Sequence, residues 1–277
     1  MRITSHGISY HVRRHRHDPS LPSLLLLHGF MGSGRAFSHL VDSLTPFSNP
    51  ITIDLLGHGK TEGTTDPGRY AVDQQIRDLD HIIREMNTGS LFLHGYSMGG
   101  RLALRYALSH PDAIDGLVLE STTIGIADCA KREARIREDE ERASAILNNY
   151  KSFLSSWHKQ PLFSSNGNMD SALEQHYRQL QQSQNPEYMA ASLRGFGTGQ
   201  MPPVGEELSR LVIPTLLMAG EHDKKYRTIM NRMDQQLPES RSHIIRDAGH
   251  RIHLEHPRAF LDHLKAFVLC SSRNICL

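Results

Sequence analysis

The sequence predicts an α/β fold in which a mostly parallel central sheet is flanked by helices and carries an inserted helical lid. Short apolar runs recur along the chain, as at 24–27 and 91–93, and each is bounded by Gly, Pro, Asp or His. Runs of this length are typical of strands buried on both faces of a parallel sheet. Helical patterns lie between such runs, as at 74–86 and 101–109. This alternation of strands and helices predicts a doubly wound sheet. Further strand-like runs occur at 51–53, 117–119, 216–218 and 244–245.

Two segments depart from that alternation. Residues 2–13 alternate loosely around a glycine and predict a β-hairpin. Residues 124–205 contain no strand-like run and include the charged helical stretch K-R-E-A-R-I-R-E-D-E-E-R-A. The whole segment 124–205 follows the strand that ends near Glu120. It therefore starts at the edge where open α/β sheets bind ligands. The chain is therefore divided into a first core part (1–123), a helical lid (124–205) and a second core part (206–277).

Composition and charge indicate which kinds of molecule this protein binds and in which compartment it lies. The chain has 277 residues and a net charge of +1, so it has no electrostatic footprint for nucleic acid or an anionic membrane. Cys129, Cys270 and Cys276 make an odd, loosely spaced set, which favours a reducing compartment over a disulfide framework. The amino terminus lacks a hydrophobic stretch, so no signal peptide is expected. We expect a cytoplasmic protein that acts on a small molecule, with a monomer as the default.

The stretch L-H-G-Y-S-M-G-G-R contains a candidate nucleophile, Ser97. G-x-S-x-G between a strand and a helix is the nucleophile elbow of α/β hydrolases, whose acid and histidine follow in that order. Asp223 comes just after the apolar run T-L-L-M-A-G, and His250 comes in D-A-G-H after the final run. The order and the placement at strand ends predict a catalytic triad. Glu221 is an alternative acid and His253 an alternative histidine.

Two further features bear on the chemistry. An oxyanion hole needs two backbone N–H donors, which we expect from Met98, after the serine, and from Phe30, after the first long apolar run. The histidine-rich stretch at residues 11–17 could bind a metal. A solvated hairpin is favoured instead, because no cysteine or glutamate cluster completes a site, and no metal site is predicted.

Arg101 stands one turn after the nucleophile, on the same face of the elbow helix. Burying a guanidinium is costly without an anion, so Arg101 either forms a structural ion pair or binds a substrate carboxylate. The lid is also rich in arginine. Trp157, the only tryptophan, either packs in the lid core or forms a wall of the pocket.

Several motifs together resemble one specific family. G-Y-S-M-G-G-R, L-V-L-E-S-T, the lid pattern R-x-x-R-x-R-x-D, W-x-x-Q-P-L-F, S-L-R-G-F-G-T-G-Q and A-G-H-x-x-H-x-E-x-P resemble 2-succinyl-6-hydroxy-2,4-cyclohexadiene-1-carboxylate synthase of menaquinone biosynthesis. The resemblance covers nearly the whole chain, including the lid. It implies a lyase that eliminates pyruvate from a substrate with three carboxylates, without a metal or an organic cofactor.

The resemblance also implies substrate-binding roles. These fall on Tyr96, Arg101, Arg135, Trp157 and Arg178. Two alternatives to the lid arginines stay open, Arg132 and Arg137, because the charge-rich lid permits more than one alignment.

Two other functions are compatible with the residues alone. A serine hydrolase could use the same triad on an ester or on a carbon–carbon bond. A noncatalytic binding module could use the same fold, although the complete triad argues against it.

Overall fold

A computed structural model describes residues 1–163 and 169–272. Eight strands form one sheet in the order β1-β2-β4-β3-β5-β6-β7-β8. The strands are β1 (Arg2–Ser5), β2 (Ile8–Arg14), β3 (Ser23–Leu27), β4 (Asn49–Ile53), β5 (Leu91–Tyr96), β6 (Gly116–Glu120), β7 (Thr215–Gly220) and β8 (Ser240–Ile245).

The pairing of the strands confirms the predicted α/β class. β1 and β2 form the predicted antiparallel hairpin, and β2 pairs antiparallel with β4. From β4 to β8 every neighbouring pair is parallel. The carboxyl ends of these parallel strands therefore share one edge of the sheet, which is the edge where such sheets bind ligands.

Both faces of the parallel sheet are buried. In β3, Leu25 and Leu27 join one apolar cluster, whereas Leu24 and Leu26 join the cluster on the other face. This division follows from the two-residue period of a strand, which points successive side chains to opposite faces. A strand covered by helices on both sides therefore needs the continuous apolar run seen in the sequence.

Helices cover the sheet and build the insertion. The core helices are α1 (Val41–Leu44), α2 (Val72–Met86), α3 (Met98–Ser109), α8 (Lys224–Asp234), α9 (Ile252–Glu255) and α10 (Pro257–Ser271). Between β6 and β7 lie α4 (Cys129–Asn148), α5 (Tyr150–Trp157), α6 (Ser171–Gln182) and α7 (Pro186–Phe196). An apolar cluster joins α4, α5 and α7 to the loop after β3 through Met31 and Phe30. The division at residues 124 and 205 stays a prediction, and Cys276 lies outside the described residues.

A helix that spans a membrane must be both long and apolar. Within residues 1–163 and 169–272, no helix is both long enough and apolar enough to cross a bilayer.

Two buried histidines at the edge of the sheet are held neutral. Burial lowers the pKa of His28 to about 4. Burial, together with the nearby His28, lowers the pKa of His58 to about 3. His28 Nε2 accepts a hydrogen bond from the Leu55 amide at 3.0 Å, which requires the neutral imidazole.

These two histidines should make the protein sensitive to acid. Below pH 6.5 the unfolded chain binds protons at both imidazoles, whereas the folded chain does not until the pH reaches about 4 and about 3. The free energy of unfolding should therefore fall as the pH falls from 6.5 to 4, by up to about 1.4 kcal/mol per pH unit for each histidine. Urea unfolding at several pH values measures this slope. His58→Asn should reduce it, whereas exposed His17→Asn should leave it unchanged, and equal slopes in both variants would contradict the assignment.

Candidate active site

Ser97 lies on a sharp turn between β5 and α3. Its φ of +51° is in the left-handed region, which a non-glycine residue seldom adopts, and functional sites often hold such residues. The turn is possible because glycines let backbone segments approach closely. A Cβ on Gly95 would lie 2.5 Å from the Gly100 Cα, and a Cβ on Gly99 would lie 2.5 Å from the Leu27 carbonyl oxygen. The sequence G-Y-S-M-G therefore builds the turn that presents the serine hydroxyl.

Gly99→Ala is expected to destabilise the protein. The added methyl group would meet the backbone carbonyl oxygens of Leu27 and His28 at 2.5 and 2.6 Å, and backbone cannot move aside cheaply. We expect a loss of about 2 to 3 kcal/mol in the free energy of unfolding. Gly89→Ala is the matched control, because a Cβ at Gly89 meets nothing within 4 Å. Urea unfolding of the two variants tests the expectation, and equal stabilities would refute it.

Ser97, His250 and Asp223 come together at the carboxyl edge of the sheet. His250 Nε2 lies 3.1 Å from Ser97 Oγ, and His250 Nδ1 lies 2.6 Å from Asp223 Oδ2. Asp223 and His250 are buried. The arrangement can withdraw a proton from the serine hydroxyl, since the histidine accepts it and the carboxylate stabilises the resulting imidazolium.

The two alternative residues lie in other interactions. Glu221 Oε2 accepts a hydrogen bond from the Asp247 amide at 2.9 Å. His253 Nδ1 lies 2.8 Å from Glu120 Oε1, and His94 Nε2 lies 3.1 Å from Glu120 Oε2. Burial alone would raise the pKa of Glu120, but His253 and His94 outweigh it and hold that pKa below its ordinary value. Neither alternative therefore occupies the position beside Ser97.

The loop that carries His250 is fixed by a glutamate. Glu255 accepts hydrogen bonds from the Gly249 amide at 2.6 Å and from the Arg251 amide at 3.0 Å. The two amides flank His250, so the carboxylate holds the backbone on both sides of the imidazole. The motif A-G-H-x-x-H-x-E contains this glutamate, but no local pattern indicates that its carboxylate binds the backbone on both sides of the histidine.

A cavity of about 450 Å³ opens beside Ser97. Phe30 and Met98 line it, so the two expected oxyanion-hole residues lie beside the serine, and the donor role of their N–H groups stays a prediction. Tyr96 and Trp157 also line it. The cationic residues of the lining are Arg101, Arg135, Arg142, Lys224, Lys225 and Arg251.

Arg101 is buried in the cavity wall, and no carboxylate within residues 1–163 and 169–272 forms an ion pair with it. Its Nη1 donates to the Phe196 carbonyl at 2.8 Å, and its guanidinium lies over the Phe196 ring at 4.8 Å. Burial and the charge of Arg135 lower the pKa of Arg101 to about 10. At neutral pH the group is still a cation. The geometry favours the anion-binding interpretation over the structural ion pair.

Of the three lid arginines on α4 that the sequence left open, Arg135 is the one among the cavity-lining residues. Its Nε lies 2.9 Å from Asp139 Oδ1. Sequence reasoning missed Arg142, which also lines the cavity and lies 3.1 Å from the same Asp139 oxygen. The signal was available, because two residues seven apart lie on one face of a helix. Arg132 and Arg137 are outside the lining.

Arg178 lies outside this cavity, and its substrate-binding role stays a prediction. It is exposed on α6, where Nη2 lies 2.7 Å from Glu174 Oε1 and Nη1 lies 3.2 Å from His158 Nδ1. It lines a separate groove with Lys151 and Lys159. The cavity instead contains Arg251, directly after His250. The helix periodicity of α6 explains the difference, since Tyr177 and Gln181 face the cavity and the intervening Arg178 faces away.

Aromatic rings enclose the site. Trp157 packs against Phe30, with ring centroids 5.8 Å apart, and it lines the cavity, so both interpretations of the tryptophan hold. The His250 ring contacts Tyr96 and Tyr226, with centroids at 5.4 and 4.6 Å. These contacts fix the orientation of the imidazole and exclude water from its faces.

Known proteins share this architecture. Residues 22–257 match the α/β hydrolase fold family. The structure described as MenH from S. aureus superposes with a TM-score of 0.89 at 34% identity, over 95% of this chain and 98% of that chain.

Curated relatives narrow the family. A protein of Bacillus subtilis (strain 168), provisionally named 2-succinyl-6-hydroxy-2,4-cyclohexadiene-1-carboxylate synthase, is 37% identical over 92% of this chain and 93% of its own length. The protein of that name from Enterobacter sp. (strain 638) is 30% identical over 87% of this chain and 89% of its own length. The chain therefore belongs to the 2-succinyl-6-hydroxy-2,4-cyclohexadiene-1-carboxylate synthase family of enzymes, within the α/β hydrolase fold.

Proposed function

We propose that this chain eliminates pyruvate from 2-succinyl-5-enolpyruvyl-6-hydroxy-3-cyclohexene-1-carboxylate, giving 2-succinyl-6-hydroxy-2,4-cyclohexadiene-1-carboxylate. Membership of the synthase family supports the pathway, which is menaquinone biosynthesis. The observation that carries the proposal is the buried Arg101, which has no carboxylate partner among the described residues and lies in the same cavity as the Ser97–His250 pair. A neutral ester would leave this cation unpaired, whereas a tricarboxylate would pair with it.

The proposed reaction begins with removal of a proton. Asp223 orients His250, which accepts the hydroxyl proton of Ser97, and the serine oxygen removes the proton alpha to the succinyl ketone. The electron pair of that C–H bond moves onto the ketone oxygen as an enolate. The amides of Phe30 and Met98 stabilise this negative charge.

Collapse of the enolate then breaks a carbon–oxygen bond. The electron pair forms the C2=C3 double bond of the ring, and the existing C3=C4 double bond shifts to C4=C5. The enolpyruvyl oxygen leaves C5 with the electrons of its bond to the ring. Protonation of the released enolpyruvate gives pyruvate, and the proton taken by His250 balances the reaction. No acyl-enzyme forms in this scheme, and each step uses only side chains and amides of the cavity.

Substrate recognition rests on charge and shape. Tyr96, Arg101, Arg135 and Trp157 line the cavity and are proposed to contact the substrate. Arginine suits this role, because its planar fork donates two parallel hydrogen bonds to one carboxylate. Arg178 is left out of the proposal, since it pairs with Glu174 outside the cavity.

The substrate is labile, so the test makes it fresh in the same vessel with the enzyme of the preceding step of the pathway. Pyruvate release and the ultraviolet absorbance of the conjugated diene are followed together, with and without the protein. We expect both signals to rise in equal amounts and faster than without protein. Rates equal to those without protein, together with a burst of product from short p-nitrophenyl esters, would reject the lyase and favour a serine hydrolase.

A further inference from the structure

Arg251 occupies a fixed position in the cavity wall. It follows His250 directly, and its amide donates to Glu255 Oε1 at 3.0 Å, so its backbone is anchored. The residue is 3% exposed, and it lines the cavity together with Ser97. The glutamate that anchors the backbone beside His250 therefore also anchors the backbone of Arg251.

The guanidinium of Arg251 has aromatic contacts but no anion. It lies over the Phe163 ring at 4.1 Å and near the Tyr177 ring at 4.9 Å. Across the described part of the chain, its buried Nε and Nη2 have no hydrogen-bond partner. Within the same residues no carboxylate forms an ion pair with it. Glu255, the nearest acid in sequence, accepts from the Gly249 and Arg251 backbone amides instead.

The other cavity arginines divide into two kinds. Arg135 and Arg142 share Asp139 as an anion, at 2.9 and 3.1 Å. Arg101 and Arg251 have no such partner among the residues that the structure describes. A buried cation with unmade hydrogen bonds costs free energy in the empty protein, and a bound anion removes that cost. A ligand carboxylate should therefore gain the most binding free energy at the two arginines that have no carboxylate partner in the described chain.

The aromatic contacts of Arg251 leave N–H donors of its guanidinium for an anion. Aromatic rings contact the face of a guanidinium, whereas its N–H groups point outward in the plane. A carboxylate meets the edge of this plane and accepts two parallel hydrogen bonds. Phe163 and Tyr177 thus contact the guanidinium, while its Nε and Nη2 donors stay without a partner in the described chain.

We propose that Arg251 is a second carboxylate-binding residue of the cavity, and that Arg101 and Arg251 together hold two of the three carboxylates of the substrate. This inference rests on the proposed function for the identity of the ligand. It adds Arg251, whose guanidinium lies near Tyr177 of α6, to the residues that the sequence motifs indicate. The site takes a cyclic molecule with at least two carboxylates.

Steady-state kinetics of pyruvate release give the first test. Arg251→Gln keeps a polar side chain but loses the charge, and we expect KM to rise about 30-fold while kcat changes less than about threefold. Arg251→Lys should lie between this variant and the wild type. The matched control is Arg84→Gln, which removes an exposed arginine of α2 outside the cavity and should leave KM unchanged. Thermal unfolding of each variant checks that it is folded.

A role limited to supporting the fold predicts a different pattern. Arg251→Gln would then unfold at a lower temperature and lose kcat through a misplaced His250, while KM stayed constant. That outcome would overturn the inference. The expected result is instead an unchanged or higher melting temperature, because the variant no longer buries an unpaired cation.

Equilibrium binding separates the inference from the proposed reaction. Trp157 is the only tryptophan of the chain and lines the cavity, so its fluorescence reports occupancy. The probe is cyclohex-4-ene-1,2-dicarboxylate, and its dimethyl ester is the uncharged control. We expect saturable binding of the diacid to the wild type, binding at least about tenfold weaker to Arg251→Gln, and no response to the diester.

The two experiments have distinguishable failures. If the wild type releases no pyruvate but binds the diacid through Arg251, the proposed reaction is wrong and the carboxylate site stands. If the wild type releases pyruvate while Arg251→Gln keeps both KM and diacid affinity, the reaction stands and the inference is overturned. A wild type whose fluorescence does not respond to the diacid also overturns it.

Discussion

Ser97→Ala is expected to lower kcat for pyruvate release by about a thousandfold or more, with little change in the affinity for substrate. The hydroxyl is the only group of Ser97 that the proposed mechanism uses, and it lies 3.1 Å from His250 Nε2. Alanine removes the oxygen that takes the proton but keeps the backbone of the turn. The measurement is the single-turnover rate of diene formation, with fluorescence of Trp157 confirming that the variant still binds the diacid probe.

His250→Asn and the double variant complete this experiment. Residues that act as one unit have non-additive effects, so Ser97→Ala/His250→Asn should lose no more activity than the worse single variant. Exposed His17→Asn serves as the control for removing a histidine from this histidine-rich chain. A Ser97→Ala protein that keeps a tenth of wild-type kcat would show that another group is the base.

Arg101→Met has the second largest expected effect. The variant replaces a buried cation by a side chain of similar length without charge, and we expect kcat/KM to fall about 100-fold, which corresponds to about 2.7 kcal/mol. The free energy of unfolding should change by less than about 1 kcal/mol. Loss of the hydrogen bond to the Phe196 carbonyl is offset by removal of a buried charge that has no carboxylate partner in the described residues.

Arg84→Met is the matched control for this change. It removes a guanidinium that pairs with Asp80 at the surface, and its kcat/KM should stay within about twofold of wild type. Urea unfolding and steady-state kinetics on both variants distinguish a role of Arg101 in substrate binding from a role in the fold. If Arg101→Met unfolds far more readily and keeps its kcat/KM, then Arg101 supports the fold rather than the substrate.

The sequence allowed the fold class to be predicted because strand burial leaves a local signal. β3 and β5 are continuous apolar runs, since each is covered on both faces. β8 gives a weaker signal, because this edge strand exposes Arg241 and Ile244 and has a single buried residue. The apolar pair at its end was the only part that the pattern identified. The elbow was equally local, as its glycines are needed within five residues of one another.

The cationic side of the cavity was less predictable, since it depends on which residues long-range packing turns inward. Arg178 and Tyr177 are adjacent in sequence, yet only Tyr177 lines the cavity. Arg251 directly follows His250, and the motif D-A-G-H directed the prediction to the histidine alone. Glu120 is the last residue of β6, and its carboxylate also joins His94 to His253. No local pattern encodes such a pairing.

The Glu120–His253 contact has a consequence for synthesis of the chain. Its partners are 133 residues apart, and Ser97 and His250 are 153 apart. A nascent polypeptide that has emerged as far as α7 already holds the serine and Arg101, but its Glu120 has only His94 beside it and its serine has no base. Because the chain is synthesised from its amino terminus, the Glu120–His253 and Ser97–His250 contacts both form in the same late step, when the segment after β8 docks. Catalytic competence should appear abruptly with that segment, rather than grow with chain length.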